Sequence, residues 1–199
     1  VHAGRELFRA FNGDLLSRPG VLAVVAEGRS FLRSRDERYD LVEINSVDTL
    51  SALSTGAYVL SESFLYTADA VGDYLDHLAP GGIFPMAVGD IQTPDQPPRH
   101  TLRLAGIVRR ALRDRGVAGP WRHVMVVGSG GGLPFTHTLV RNEPFTPEEV
   151  LKMAAFLDAE GLQFWHRPDE GPPATLASRI LRWDDAQLER FYARHPLDL

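Results

Sequence analysis

Three apolar runs of strand length, separated by helical text, constrain this chain more than any other feature. Val21–Ala26 reads VLAVVA, Tyr39–Ile44 reads YDLVEI, and Ile83–Val88 reads IFPMAV. Each is too short for a helix and carries β-branched or aromatic residues suited to a pleated surface. Between the second and third, Phe64, Ala68, Val71, Leu75 and Leu78 recur at helical spacing, and Pro80-Gly81-Gly82 reads as the stop. Ser61 reads as the cap that opens this helix. Strands that alternate with helices pair in parallel through right-handed crossovers. The pattern therefore predicts an α/β fold of three layers, with Val21–Ala26, Leu41–Ile44 and Ile83–Val88 as parallel neighbours.

The flanking text is read the same way. Ala3–Phe11 reads as a helix closed by Asn12-Gly13, and Arg29–Arg33 as a helical turn. Gly89–His100 reads as a polar, proline-rich loop. Thr101–Arg115 reads as an amphipathic helix whose Arg103, Arg109, Arg110, Arg113 and Arg115 form a solvated face opposite Leu104, Val108 and Leu112. Val124–Val127 and Thr136–Arg141 read as an antiparallel hairpin across the glycines that begin at Gly128. Thr146-Pro147-Glu148-Glu149 carries a complete helix-start signal: a capping threonine, proline at the first helical position, and a glutamate able to return the bond. Leu162–His166 reads as a last strand, and Trp183-Asp184-Asp185 opens a terminal helix. The expected division is 1–145 as the α/β domain and 146–199 as a helical extension packed on it.

Composition excludes several classes. The 199 residues carry a net charge of -5 and no cysteine. An acidic balance argues against a nucleic-acid partner, and the lack of thiols removes disulfides and thiolate metal sites. The seven histidines are scattered without ligand spacing, so no metal site is expected. No apolar run approaches the roughly 18 residues of a spanning helix. The chain opens on Val1 directly in helical text, AGRELFRAF, which leads us to expect a fragment whose N-terminal neighbour is missing.

Polar groups at strand ends are where α/β sheets place their chemistry. Glu27-Gly28 follows the first run. A carboxylate there can accept bonds from a ligand's amino group or ribose hydroxyls, with glycine letting the backbone approach a flat ring; equally, the acid can serve the N-terminus of the next helix. Asn45, Ser46 and Asp48 follow the second run. Asp48 can orient a nucleophile or take its proton, or the segment can be a turn bonded to its own backbone. The run GSGGG at 128–132 lacks the helix that a phosphate loop needs directly after it, and reads as a hairpin loop.

The segments EGRSFL, RYDLVEINSVD and LYTADAVGDYLDHLAPGGIF together resemble the catalytic domain of spermidine synthases, within the class I S-adenosylmethionine-dependent, methyltransferase-like Rossmann superfamily. The likeness is nearest to the spermidine synthase-like proteins fused to membrane-spanning segments. It covers about Val1 to Val88, and NEPFTPEEV resembles their tail region. The resemblance implies a Rossmann-like, mainly parallel sheet with an antiparallel C-terminal hairpin and the first strands missing.

It also implies S-adenosylmethionine or decarboxylated S-adenosylmethionine as the bound nucleoside, and an amine as the small-molecule substrate. By the same resemblance Glu27 and Gly28 hold the adenine, with Glu replacing the family's usual Asp. Asn45 and Ser46 complete the pocket, and Asp48 is the catalytic carboxylate. Asn45 stands where the family has the first of two aspartates, which puts aminopropyl transfer by the usual route in doubt. The implied activity is alkyl or aminopropyl transfer in the full-length parent, with the isolated chain inactive. The implied location is the cytoplasm or the cytoplasmic face of a membrane. The alternative is a non-catalytic ligand-sensing or interaction domain that keeps the fold without the chemistry.

Overall fold

A computed structural model describes residues 2–45, 63–90, 98–129 and 135–194. They divide into two compact units, Val1–Arg35 and Asp36–Leu199. The division falls at 35/36, and residues after 146 belong with the second unit.

The first unit contains α1 (His2–Arg5) and α2 (Gly28–Arg33), with a single 3-10 turn at Leu15–Ser17 between them. The expected helix over Ala3–Phe11 is cut to one turn. Bonds such as Phe8 N to Ala3 O skip the helical register, and the chain turns at Gly13 and Asp14, both with positive φ. The expected strand Val21–Ala26 does not form. Leu22 and Val25 are 75% and 84% exposed. A strand's amides and carbonyls need a neighbour. Among the described residues no strand pairs with this run, so its β propensity has nothing to act through.

The second unit is built on a mixed sheet of six strands: β1 (Tyr39–Leu41), β2 (Ile44–Asn45), β3 (Leu78–Gly89), β4 (Val124–Gly128), β5 (Phe135–Val140) and β6 (Gln163–His166). β1 and β2 lie parallel to β3, so the expected pairing of Leu41–Ile44 with Ile83–Val88 holds. β3–β5, β5–β4 and β4–β6 are antiparallel, with Phe84 opposite Val140 and Val126 opposite both Thr138 and His166. The 124–140 hairpin forms as expected, and the antiparallel part of the sheet is larger than the sequence suggested.

Alternation along the strands assigns the two faces. Met125 and Val127 point to α5 (Pro147–Glu160), where they form a core cluster with its Val150 and Leu157. The opposite face carries Phe84, Met86, Thr136 and Thr138. Phe84 packs there against Tyr74 of α3 (Ala68–Asp76), ring centroids 4.7 Å apart, and Thr136 bonds to Thr101 of α4 (Arg99–Asp114). Helices therefore cover both faces. The expected capping box is present: Thr146 accepts from Glu149 N at 3.3 Å, and Glu149 accepts from Thr146 N at 2.7 Å. Helix α3 begins later than expected, because Thr67 rather than Ser61 caps it; Ser61 lies outside the described residues.

Two further elements close the C-terminal side. Helix α6 (Leu176–Arg182) presents Ser178 to His166 of β6, and α7 (Asp185–Arg194) follows. His166 Nε2 donates to the Trp121 carbonyl at 2.8 Å, and its Nδ1 lies 3.0 Å from the Ser178 hydroxyl and 3.5 Å from Glu170 Oε1. Arg109 departs from the solvated arginine face predicted for it. It is 1% exposed, and it donates to Trp183 O and to Asp185 Oδ1 at 2.9 and 2.6 Å. The C-terminal segment covers this side of α4, which a reading of the helix alone cannot anticipate. Arg103, Arg110, Arg113 and Arg115 are exposed as expected.

Gly128 joins β4 to β5 at close range. A Cβ there would collide with the Phe135 carbonyl oxygen and lie 3.0 Å from Thr136 Cα. Backbone cannot yield as a side chain can. Gly128→Ala is expected to destabilise the protein by about 1–3 kcal/mol, the usual cost of overpacking. Urea unfolding measures this, and a wild-type midpoint would refute the close approach.

Candidate functional site

Glu27 is the N-cap of α2. Its Oε1 accepts from Arg29 N at 2.9 Å and its Oε2 from Ser30 N at 2.7 Å. The Ser30 hydroxyl, followed by the amides of Arg29 and Ser30, holds the Glu27 carboxyl below its ordinary value. This is the helix-terminus reading of that acid. Gly28 opens α2, and a Cβ on it would meet nothing within 4 Å, so internal packing does not require glycine there. Asn45 is the last residue of β2, exposed, and opposite Ala87 of β3. Ser46 and Asp48 lie outside the described residues. Glu27 and Gly28 fall in the first compact unit and Asn45 in the second.

Where β3 ends, the fold builds a polar centre that the sequence reading did not single out. Asp90 follows Gly89 directly and its side chain is 2% exposed. Its Oδ1 accepts from His100 N at 2.9 Å. Its Oδ2 accepts from Thr101 N at 2.8 Å and from Thr101 Oγ1 at 2.6 Å. These donors are the first turn of α4, whose own N-cap residue, Pro98, supplies no side-chain bond. Asp90 therefore caps a helix from the end of the neighbouring strand. Burial pushes its carboxyl up, but the bonds from His100 and Thr101 outweigh burial and hold it below its ordinary value.

The hydrogens of this network can be ordered. The Thr101 hydroxyl has one proton, which goes to Asp90. The Thr136 hydroxyl, 2.7 Å from Thr101 Oγ1, must then donate to it. On the other side, His100 Nδ1 lies 3.1 Å from Gly89 O and 3.2 Å from Asp90 Oδ1. Both are acceptors only, so Nδ1 carries a hydrogen. The His100 side chain is 53% exposed. The ring of Phe135 lies close over Gly89, since a Cβ there would meet Phe135 Cε1 at 3.2 Å, and Phe135 is 61% exposed.

Asn45 ends β2 opposite Ala87, and beyond Gly89 on the neighbouring β3 stand the buried Asp90 carboxylate and the imidazole it meets. The antiparallel β5 adds an exposed aromatic ring. Asn45 can bond a polar ligand, and Phe135 offers a flat apolar face. The signal for Asp90 was legible: an acid paired with glycine after a buried strand, the same pattern that picked out Glu27-Gly28. Gly89-Asp90 was passed over as the start of a proline-rich loop.

No family model and no curated protein matches this chain. Among the described residues, no helix is long and apolar enough to cross a membrane, and no cluster of His, Asp and Glu is arranged to hold a metal ion.

Asp90→Asn is expected to destabilise the protein by about 1–3 kcal/mol at neutral pH, because amide hydrogens would face buried donors. A carboxyl held below its ordinary value contributes fully above that value and loses its contribution as pH falls through the native one. The gap between wild type and variant should therefore close as the pH drops below 3.8, the ordinary value. Chemical unfolding at a series of pH values measures it; a gap that widens in acid would contradict the assignment.

Proposed function

We propose that this protein is a spermidine synthase-like transferase of the methyltransferase-type Rossmann class, which uses S-adenosylmethionine or its decarboxylated form and transfers an alkyl or aminopropyl group to an amine. One observation carries the reading. Asn45 and Asp90 end adjacent parallel strands of an α/β sheet, the position at which such sheets bind ligands. The resemblance of the 27–86 segment to spermidine synthases supplies the ligand class.

The residues fit the nucleoside in part. Asn45 is exposed at a strand end, and Phe135 presents a flat ring. The resemblance assigns nucleoside contacts to Glu27, Gly28, Asn45 and Ser46, and to Asp48 the orientation of a cationic amine. When bound, the sulfonium supplies a carbon whose bond to sulfur breaks as the amine nitrogen bonds to it, the electron pair leaving on sulfur. The net charge of -5 favours a cationic substrate over a nucleic acid. The location we propose is the cytoplasm or the cytoplasmic face of a membrane.

A second reading, a ligand-sensing or interaction domain without turnover, has its own support. Both oxygens of Glu27 already serve backbone amides, and Asn45 cannot accept a proton as a carboxylate does.

Calorimetry of the full-length parent with S-adenosylmethionine and its decarboxylated form, together with a transfer assay, separates the two. Glu27→Ala should weaken nucleoside binding roughly tenfold, or about 1.4 kcal/mol. Asp48→Asn should lower kcat on the order of 100-fold with little change in binding. Binding without turnover selects the sensor. Negligible effects of both changes on binding and on rate would sink the transferase reading.

A further inference from the structure

We propose that the first compact unit, Val1–Arg35, docks on an anionic lipid surface, its exposed apolar side chains entering the headgroup layer and its arginines meeting the lipid phosphates. The proposal stands apart from the transferase reading and needs no ligand at the strand ends.

Two observations carry it. The first is that this unit has no interior. The buried hydrophobic side chains, from Ile44 onward, all belong to the second unit, and none of the described residues of the first is buried. Of the thirteen large hydrophobics that stand exposed among the described residues, eight fall in the first unit, with Phe11 at 92% and Leu7 at 77%. Single exposed apolar residues are ordinary, but a concentration on this scale marks a surface that something covers. The unit is held by bonds between near neighbours in sequence, such as Asn12 Nδ2 to Gly4 O at 2.7 Å and the exposed Arg9–Asp14 pair.

The second observation says what covers it. The first unit carries six arginines against three acids, a formal charge of +3, within a chain of net charge -5, so Asp36–Leu199 stands at -8. The arginines are interleaved with the apolar residues. Arg5 precedes Leu7 and Phe8, Arg9 stands between Phe8 and Phe11, and Arg18 lies between Leu15 and Leu22. Cations set among leucine and phenylalanine suit the boundary where acyl chains meet anionic headgroups. Nucleic acid would take the charge but leave Leu7, Leu22 and Val25 in water, because aliphatic side chains offer bases no ring to stack on. The charge of the second unit is repelled by an anionic surface, so the attraction belongs to the first unit alone.

The test uses the intact chain with vesicles of phosphatidylglycerol or of phosphatidylcholine. Co-sedimentation should find the protein on phosphatidylglycerol at low salt, and free of it at high salt or when only phosphatidylcholine is present. Phe11 is almost fully exposed, so Phe11→Ser leaves the fold intact and should weaken partitioning on the order of tenfold. Arg5→Gln should weaken it about fivefold, and Arg5→Lys should keep the wild-type value. The chain has no cysteine, so a polarity-sensitive dye attached through Val25→Cys reports from the first unit, and one attached through Ala186→Cys from the second. Only the first dye should shift its emission on phosphatidylglycerol. No binding, equal binding to the two lipids, or a shift of the second dye alone overturns the proposal. So does sedimentation equilibrium showing an oligomer that Phe11→Ser dissolves while lipid binding stays unchanged, since another copy of the chain would then be what covers the unit.

Discussion

The second unit depends on the backbone of β3. This strand, Leu78–Gly89, pairs on one edge with β1 and β2 in parallel and on the other with β5 in antiparallel fashion. A strand buried in a sheet must satisfy its amides and carbonyls on both edges, and β3 does so with two opposite chain directions. That change of direction places the start of β5 beside the end of β3. It brings Phe135 over Gly89 and Thr136 within reach of Thr101. The polar centre is assembled because one strand ends where two kinds of ladder meet.

Local signals were the most legible. The Thr146–Glu149 box and the hairpin from 124 to 140 rest on residues close in sequence, and both form; of the α3 stripe, Ala68, Val71 and Leu75 lie in the helix, while Phe64 lies in a 3-10 turn and Leu78 begins β3. Pro80-Gly81-Gly82 shows how a correct local reading can carry the wrong boundary. The turn chemistry is present, with Gly81 at φ 76°. Yet Leu78 already pairs with Tyr39 while Ile83 pairs with Leu41, so the turn is a bulge within the ladder and β3 starts before it. Readings that required a distant partner failed. Val21–Ala26 has strand composition without a pairing neighbour, and Arg109 is buried by residues some 75 positions downstream, as its bonds to Trp183 and Asp185 make plain. The candidate site divides on the same line. Asn45 was legible as a polar residue at a strand end. The Asp90–His100 pair spans a loop, and its bonding required the fold.

Two histidines are held through different ring nitrogens. His166 gives its Nε2 hydrogen to a carbonyl and turns Nδ1 inward to Ser178, which ties β6 to α6. His100 has the opposite assignment, with Nδ1 turned inward to Asp90. The same side chain serves as an internal cross-brace in one place and as the half-exposed partner of a buried carboxylate in the other. The difference lies in which nitrogen the backbone and carboxylate acceptors occupy.

The exposed run in the first unit has a consequence for handling the protein. Val21–Val25 is a continuous apolar stretch without charge, and Leu22 and Val25 are among its most exposed residues. Such segments are templates for cross-strand association between chains. Here Arg18-Pro19-Gly20 precede the run and Glu27 and Arg29 follow it. Proline cannot extend a ladder, and charges at both ends repel a stacked copy. The flanks act as gatekeepers for a segment whose own composition would drive self-assembly, so substitutions at Arg18, Pro19 or Arg29 bear on solubility before they bear on folding.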